Sequence, residues 1–174
     1  FPLEMLEEGP NLRFKSVYMS PKKDAAKEKK LLMPLTFSYN LVFDSFVTVK
    51  AALAGAEGYE ILIRIHPLLS KNRIINFLKK IEMNNYRFAD EGIIQDWFPK
   101  VYAIITTGGS ITTLEAVCMG VPVIRVIPDN LFHYDALHLE DYPLKPINSA
   151  DKIVEQLGMI EKIISDDTEK FNEI

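Results

Sequence analysis

Val101-Tyr102-Ala103-Ile104-Ile105-Thr106-Thr107-Gly108-Gly109-Ser110-Ile111-Thr112-Thr113-Leu114-Glu115-Ala116, closed by Gly120-Val121-Pro122-Val123-Ile124, is the stretch that decides the fold. An apolar run, Val101 to Ile105, passes into two glycines and a cluster of hydroxyls. A helix starts there, carries one acid about a turn in, and ends at Gly120 before a second apolar strand. The pattern is strand, turn, helix, strand, and such a turn can hold an anion against a helix N-terminus. It therefore suggests a ligand, a phosphate-bearing nucleotide, together with a fold.

Working outward, the same alternation repeats. Leu31 to Leu35 reads as a buried strand and Leu41 to Ala54 as a helix, with Phe43, Phe46, Val47 and Leu53 towards one side. Gly55 and Gly58 punctuate the chain before a strand over Ile61 to Ile65. Asn72 to Met83 is amphipathic, with Ile74, Phe77, Leu78 and Ile81 at helical spacing. Tyr86 to Phe88 reads as a short strand and Ile93 to Phe98 as a short helix or loop. After the helix over 111–119 and the strand Val121 to Val126 comes a polar, aromatic-containing segment over 127–147. Ser149 is placed to cap a helix running to Ile164, and an acidic tail helix is expected over 166–174. Strands alternating with helices imply a parallel sheet with right-handed crossovers. The expected class is α/β: a three-layer Rossmann-like domain with a parallel sheet, over 30–174, preceded by a linker segment over 1–29.

Bulk properties narrow the function. A chain of 174 residues is one domain, large enough to bury roughly 70% of its unfolded surface. A formal net charge of −4 argues against a general nucleic-acid binder. The single cysteine, Cys118, excludes an internal disulfide and fits a reducing cytosol. No apolar run reaches membrane-spanning length. The chain opens on Phe1-Pro2 without an initiator methionine, and Glu4, Glu7 and Glu8 interrupt any signal-peptide pattern. The expectation is a longer protein whose first half precedes this chain, with a trimmed or disordered start as the alternative.

In a parallel sheet of this kind, ligands sit outside the carboxyl ends of the strands. After the first strand comes Thr36-Phe37-Ser38-Tyr39-Asn40, where Ser38 or Asn40 can cap a helix or meet a second phosphate or a sugar hydroxyl. After the second comes His66-Pro67; Pro67 holds the preceding backbone extended. His66 is thus delivered at a strand end, where an imidazole can donate to, or protonate, a leaving phosphate. In the opening stretch Gly108 and Gly109 allow close backbone approach, and Ser110, Thr112 and Thr113 supply hydroxyls. Glu115, a turn further in, is placed for the two hydroxyls of a ribose. The competing explanation is a capping box, Thr112 with Glu115, which leaves the paired glycines unexplained. Asp129, Asn130 and His133 follow the last core strand and either contact a sugar or belong to a solvated loop. Trp97, Phe98 and the backbone near Gly92-Ile93-Ile94 flank a nucleobase or simply pack in the core. His133 and His138, near Asp135, Glu140 and Asp141, match no ligand spacing, so no metal site is expected. Neither a Walker loop nor a dinucleotide fingerprint is present.

Taken together, Thr107-Gly108-Gly109-Ser110-(x)4-Glu115-Ala116-(x)3-Gly120-Val121-Pro122-Val123-Ile124 resembles the donor-binding, C-terminal half of a GT-B-fold glycosyltransferase. The same segment occurs in the related UDP-N-acetylglucosamine 2-epimerases. His66-Pro67 is similar to the His-Pro motif of bacterial capsule and surface-polysaccharide transferases. The likeness covers roughly residues 30–165. It implies that Glu115 binds ribose, that Gly108, Gly109, Ser110 and the backbone at Ile111 and Thr112 bind phosphate, and that His66 assists the leaving nucleotide. The resemblance further implies a nucleotide sugar as substrate with no cofactor, a carbohydrate acceptor, and a partner domain supplying the general base. On that basis this fragment alone binds the donor without turnover. The implied location is the cytoplasm, with the inner face of a bacterial membrane as a place for peripheral association. Two departures stand out. Thr107, not Glu, lies eight residues before Glu115, so the retaining-type pair is incomplete. Asp90-Glu91-Gly92 is similar to an acidic motif of some bacterial sialyltransferases but follows the His-Pro pair, and is set aside as coincidence. A nucleotide-sugar 2-epimerase and a non-catalytic nucleotide- or sugar-binding module are the alternatives.

Overall fold

Leu31 and Met33 feed one hydrophobic core and Leu32 feeds another. A strand's side chains alternate between its two faces, so this strand, β1 (Lys30–Pro34), is the middle of three layers. The protein is seen in a computed structural model that describes residues 28–107, 110–127 and 142–166. The remaining strands are β2 (Glu60–Arg64), β3 (Tyr86–Phe88), β4 (Ala103–Thr107) and β5 (Val123–Val126). The helices are α1 (Tyr39–Leu53), α2 (Lys71–Lys80), α3 (Ile111–Cys118) and α4 (Ala150–Asp166). A 3-10 helix spans Ile94–Lys100.

All strand pairs are parallel, in the order β3-β2-β1-β4-β5. The chain winds outward from β1 to β3, then returns past β1 to lay down β4 and β5. The direction of winding reverses between β1 and β4. The ladder there is short: Leu31 lies opposite Ala103 and Leu32 opposite Ile104, and pairing stops. By contrast β1 follows β2 to the end, as far as Pro34 opposite Arg64, and β4 follows β5 as far as Thr107 opposite Val126. Beyond Leu32 and Ile104 the two halves of the sheet part.

One face of the sheet carries α1, α2 and α4. Phe46, Val49, Ile74, Leu78, Ile153 and Leu157 pack there on Ile61, Ile63, Ile105 and Ile124. The opposite face carries α3 and the 3-10 helix, with Phe98, Ala116 and Met119 on Leu62, Ile104 and Val123. Each fully buried Leu or Ile contributes about 1.5–3 kcal/mol relative to exposure. The three-layer Rossmann-like expectation is what the structure shows. No helix among the described residues is long and apolar enough to cross a membrane.

Boundaries differ in instructive places. The amphipathic helix expected to run to Met83 ends at Lys80, because Glu82 takes a left-handed conformation (φ 52°). Met83 N–H then donates to Leu78 C=O and Glu82 N–H to Lys79 C=O, each at 3.0 Å, which is a Schellman ending. The segment expected to be polar over 127–147 re-enters the fold at its end, where Ile127 N–H donates to Ile147 C=O (2.7 Å). Most of the linker segment 1–29, the centre of 127–147 and the acidic tail beyond 166 lie outside the described residues.

Candidate functional site

The parting of the sheet at its carboxyl edge makes a cleft of about 630 Å³. Its walls come from the residues after four strands: Thr36 and Phe37 after β1, His66 and Pro67 after β2, Asp90 and Ile93 to Gln95 after β3, and Thr107 with Ser110 to Thr112 around β4 and α3. A reversal point of strand order is where open α/β sheets bind ligands.

The β4–α3 wall is a helix start. Ser110 is the N-cap, its hydroxyl accepting from Thr112 N–H (3.3 Å) while its carbonyl accepts from Thr113 N–H (2.9 Å). The capping box of Thr112 with Glu115 is therefore not formed: the cap is Ser110, and Glu115 lies too far along the helix for a reciprocal bond. Thr113 is turned inward, its hydroxyl donating to Thr106 Oγ1 (3.3 Å), which ties α3 to β4. Ile111 and Thr112 stay on the cleft wall, where the helix dipole favours an anion by about 0.3–1 kcal/mol.

Glu115 is buried, 1% exposed, and is not a wall of the cleft. Its carboxylate accepts from Gln95 Nε2 (3.1 Å), and Gln95 does line the cleft. Burying a carboxylate is costly unless it is hydrogen-bonded, so this contact has a structural reason as well as a position.

His66 lines the cleft from β2. Leu68 N–H donates to its Nδ1 (3.2 Å), so the neutral ring carries its proton on Nε2. The imidazole is thereby a donor towards a ligand rather than an acceptor. Phe37 meets its edge at 6.2 Å between ring centres.

Three cleft residues are not among those expected from the sequence, two of them, Arg64 and Gln95, without any signal there. Arg64, the last residue of β2, donates from Nη1 to the carbonyls of Ala89 (2.6 Å) and Glu91 (3.1 Å) and from Nη2 to that of Gly92 (2.6 Å). The guanidinium straps the loop after β3 to the sheet, and those partners are neutral, so they leave its positive charge in place. That loop is further fixed by Trp97 Nε1–H on Glu91 C=O (2.9 Å) and by Ile93 N–H on Asp96 Oδ2 (3.0 Å). Gly92 is left-handed (φ 64°), and a Cβ there would meet Asp96 Oδ2 at 2.4 Å, so a side chain at this turn would be strained and would have to displace the Asp96 carboxylate from the Ile93 amide. Asp90, set aside on sequence order, stands on the cleft wall and is ion-paired with Lys71. Gln95 is the third.

The other expected residues fall into two groups. Ser38 is the N-cap of α1 but makes no side-chain cap bond, and Asn40 lies inside the helix rather than at its cap; neither lines the cleft. Gly108, Gly109, Asp129, Asn130 and His133 lie outside the described residues. Phe98 is fully buried core, whereas Ile93 and Ile94 line the cleft. Among the described residues no group of three or more His, Cys, Asp or Glu is placed to hold a metal ion.

At the level of fold, solved structures set this parallel sheet beside the C-terminal halves of GT-B glycosyltransferases. The chain is similar to S. aureus TarM, crystallised with fondaparinux, alpha-GlcNAc-glycerol and UDP: 14% identity, TM-score 0.62, over 88% of this chain and 36% of that one. It is also similar to the C-terminal domain of the glycosyl transferase group 1 family protein LpcC from Francisella tularensis: 15% identity, TM-score 0.52, over 84% of this chain and 79% of that domain. A putative UDP-N-acetylglucosamine 2-epimerase from Listeria monocytogenes matches at 16% identity and TM-score 0.51, over 96% of this chain and 43% of its own. The chain thus spans little more than a third of the length of TarM. No protein-family model and no curated protein sequence matches it.

Proposed function

We propose that this chain is the donor-nucleotide-binding half of a nucleotide-sugar-dependent glycosyltransferase acting in surface polysaccharide synthesis, with the nucleotide sugar as substrate and no cofactor. The observation that carries the proposal is the cleft at the reversal point, whose walls gather His66, the start of α3 and Gln95, with Glu115 hydrogen-bonded behind Gln95. An anionic diphosphate fits between the Nε2–H of His66 and the N-terminus of α3, near the charge of Arg64. A ribose then falls towards Glu115.

In the proposed reaction an acceptor hydroxyl, deprotonated by a base from a second domain, attacks the anomeric carbon. The bond from that carbon to the phosphate oxygen breaks, and the electron pair leaves with the nucleotide. Charge gathering on the departing phosphate is met by prearranged donors, which act most strongly in a site closed to water. The acceptor is a carbohydrate, and the site of action is the cytoplasmic face of the membrane.

Titration of the protein with UDP, CDP, GDP and CMP tests the binding half of this proposal. One nucleoside diphosphate is expected to bind, and Glu115→Gln is expected to weaken it roughly tenfold or more, the worth of a hydrogen bond to a charged group, with little change in melting temperature. Absence of binding by all four would overturn it. With the full-length protein, free nucleotide plus a lengthened acceptor marks a transferase, whereas free nucleotide plus an altered sugar would mark an epimerase instead.

A further inference from the structure

We infer that Gln95 reads the sugar of the bound nucleotide together with Glu115, and so sets the preference for ribose over deoxyribose; this rests on the nucleotide-binding proposal above. Glu115 is 1% exposed and is not itself a wall of the cleft. Gln95 is a wall of the cleft, and its Nε2 lies 3.1 Å from Glu115 Oε2. A diol entering from the cleft meets the carboxylate only in the company of this amide.

The chemistry of the two groups is complementary. An ionised carboxylate only accepts, whereas a primary amide has two N–H donors and a carbonyl acceptor. One N–H of Gln95 is spent on Glu115. The other N–H and the amide oxygen meet no partner among the described residues and remain for a hydroxyl that donates to Glu115 and must also accept, or for its neighbour on the ring. A 2′-deoxy sugar supplies one hydroxyl fewer and leaves polar atoms of the pair short of a partner. Sites built to bond a hydroxyl reject the analogue lacking it far more strongly than apolar pockets reject an extra group.

The amide is also well held. Gln95 lies at the start of the 3-10 helix. Just before it, the loop is fastened by Arg64 on Ala89, Glu91 and Gly92 and by Asp96 on the Ile93 amide. Its backbone is therefore positioned before any ligand arrives, which lowers the cost of ordering on binding.

The test compares dissociation constants of the best-bound nucleoside diphosphate among UDP, CDP, GDP and ADP with those of its 2′-deoxy counterpart, for the intact protein and for Gln95→Ala and Gln95→Met. Methionine keeps the bulk and removes the amide, so it guards against a folding defect in the alanine variant. The unaltered protein is expected to favour the ribonucleotide roughly tenfold or more. Both variants are expected to lose most of that ratio, through weaker ribonucleotide binding with deoxynucleotide binding nearly unchanged. Equal losses on both ligands, an unchanged ratio, or tighter binding by the variants would each overturn the inference while leaving the proposed function standing. No binding of any ribonucleotide by the unaltered protein would overturn both.

Discussion

At the scale of single residues, the cleft works by fixing which atoms donate. Leu68 N–H on Nδ1 of His66 selects the tautomer with a proton on Nε2, and a backbone donor two residues on is supplied by the turn that Pro67 begins. If this proton meets the departing phosphate, His66→Ala should lower turnover of the full-length enzyme about a hundredfold or more, in the range of positioned proton donors. Its melting temperature should change little, since the lost bond lies in an exposed turn. Unimpaired turnover would remove His66 from the mechanism. His66 was legible in the sequence because a His-Pro pair after an apolar strand leaves few places for the ring. Gln95 and Arg64 were not legible. A short 3-10 helix has no apolar period to betray which side faces a cleft. An arginine whose partners are backbone carbonyls 25 to 28 residues away leaves no motif.

At the scale of elements, two helices end in the same way with different residues. α3 ends with Gly120 left-handed (φ 71°), Val121 N–H on Ala116 C=O and Gly120 N–H on Val117 C=O, each at 2.9 Å. α2 ends with the same pair of bonds around Glu82 (φ 52°). Left-handed backbone costs an ordinary L-residue about 1–2 kcal/mol, while glycine carries an entropic cost of about 0.5–1. Glu82→Gly should therefore stabilise the protein by up to about 1 kcal/mol, read as a higher denaturant midpoint at unchanged slope; a lower midpoint would refute this account of the turn. The same contrast explains the sequence reading. Gly120 announced the end of α3, whereas nothing at Glu82 announced the end of α2, and the apolar spacing carried the expected helix on to Met83.

At the scale of the whole molecule, alternation of strand and helix patterns was enough to give the layers and the parallel sheet. Strand order is not written in that alternation, because nothing in the apolar run of β4 says that it returns to lie beside β1. Tyr142 shows how the far end of the chain is locked in. It is fully buried, and its hydroxyl accepts from Val123 N–H (2.9 Å) at the start of β5. Burial pushes that hydroxyl up to about 12, and pushes Tyr102 and Tyr59 upward as well. An unfolded chain ionises these groups near 10, so it releases protons first. Their contribution is intact below about pH 10 and is lost as pH rises towards 12. Unfolding free energy should accordingly fall steeply above about pH 10. Tyr142→Phe should begin about 1–3 kcal/mol lower, from the buried amide left without an acceptor, yet decline less steeply. Parallel declines for the two proteins would show that Tyr142 does not titrate in this way.

The short pairing of β1 with β4 also bears on cohesion. Each half of the sheet is well laddered within itself, and the seam between them closes only at its amino end. A molecule seated in the cleft, touching His66 on one half and the start of α3 on the other, would stand in for the missing rungs. Its contacts would join the two halves at the end where the ladder is absent, and a ligand that binds only the folded state raises apparent stability by mass action.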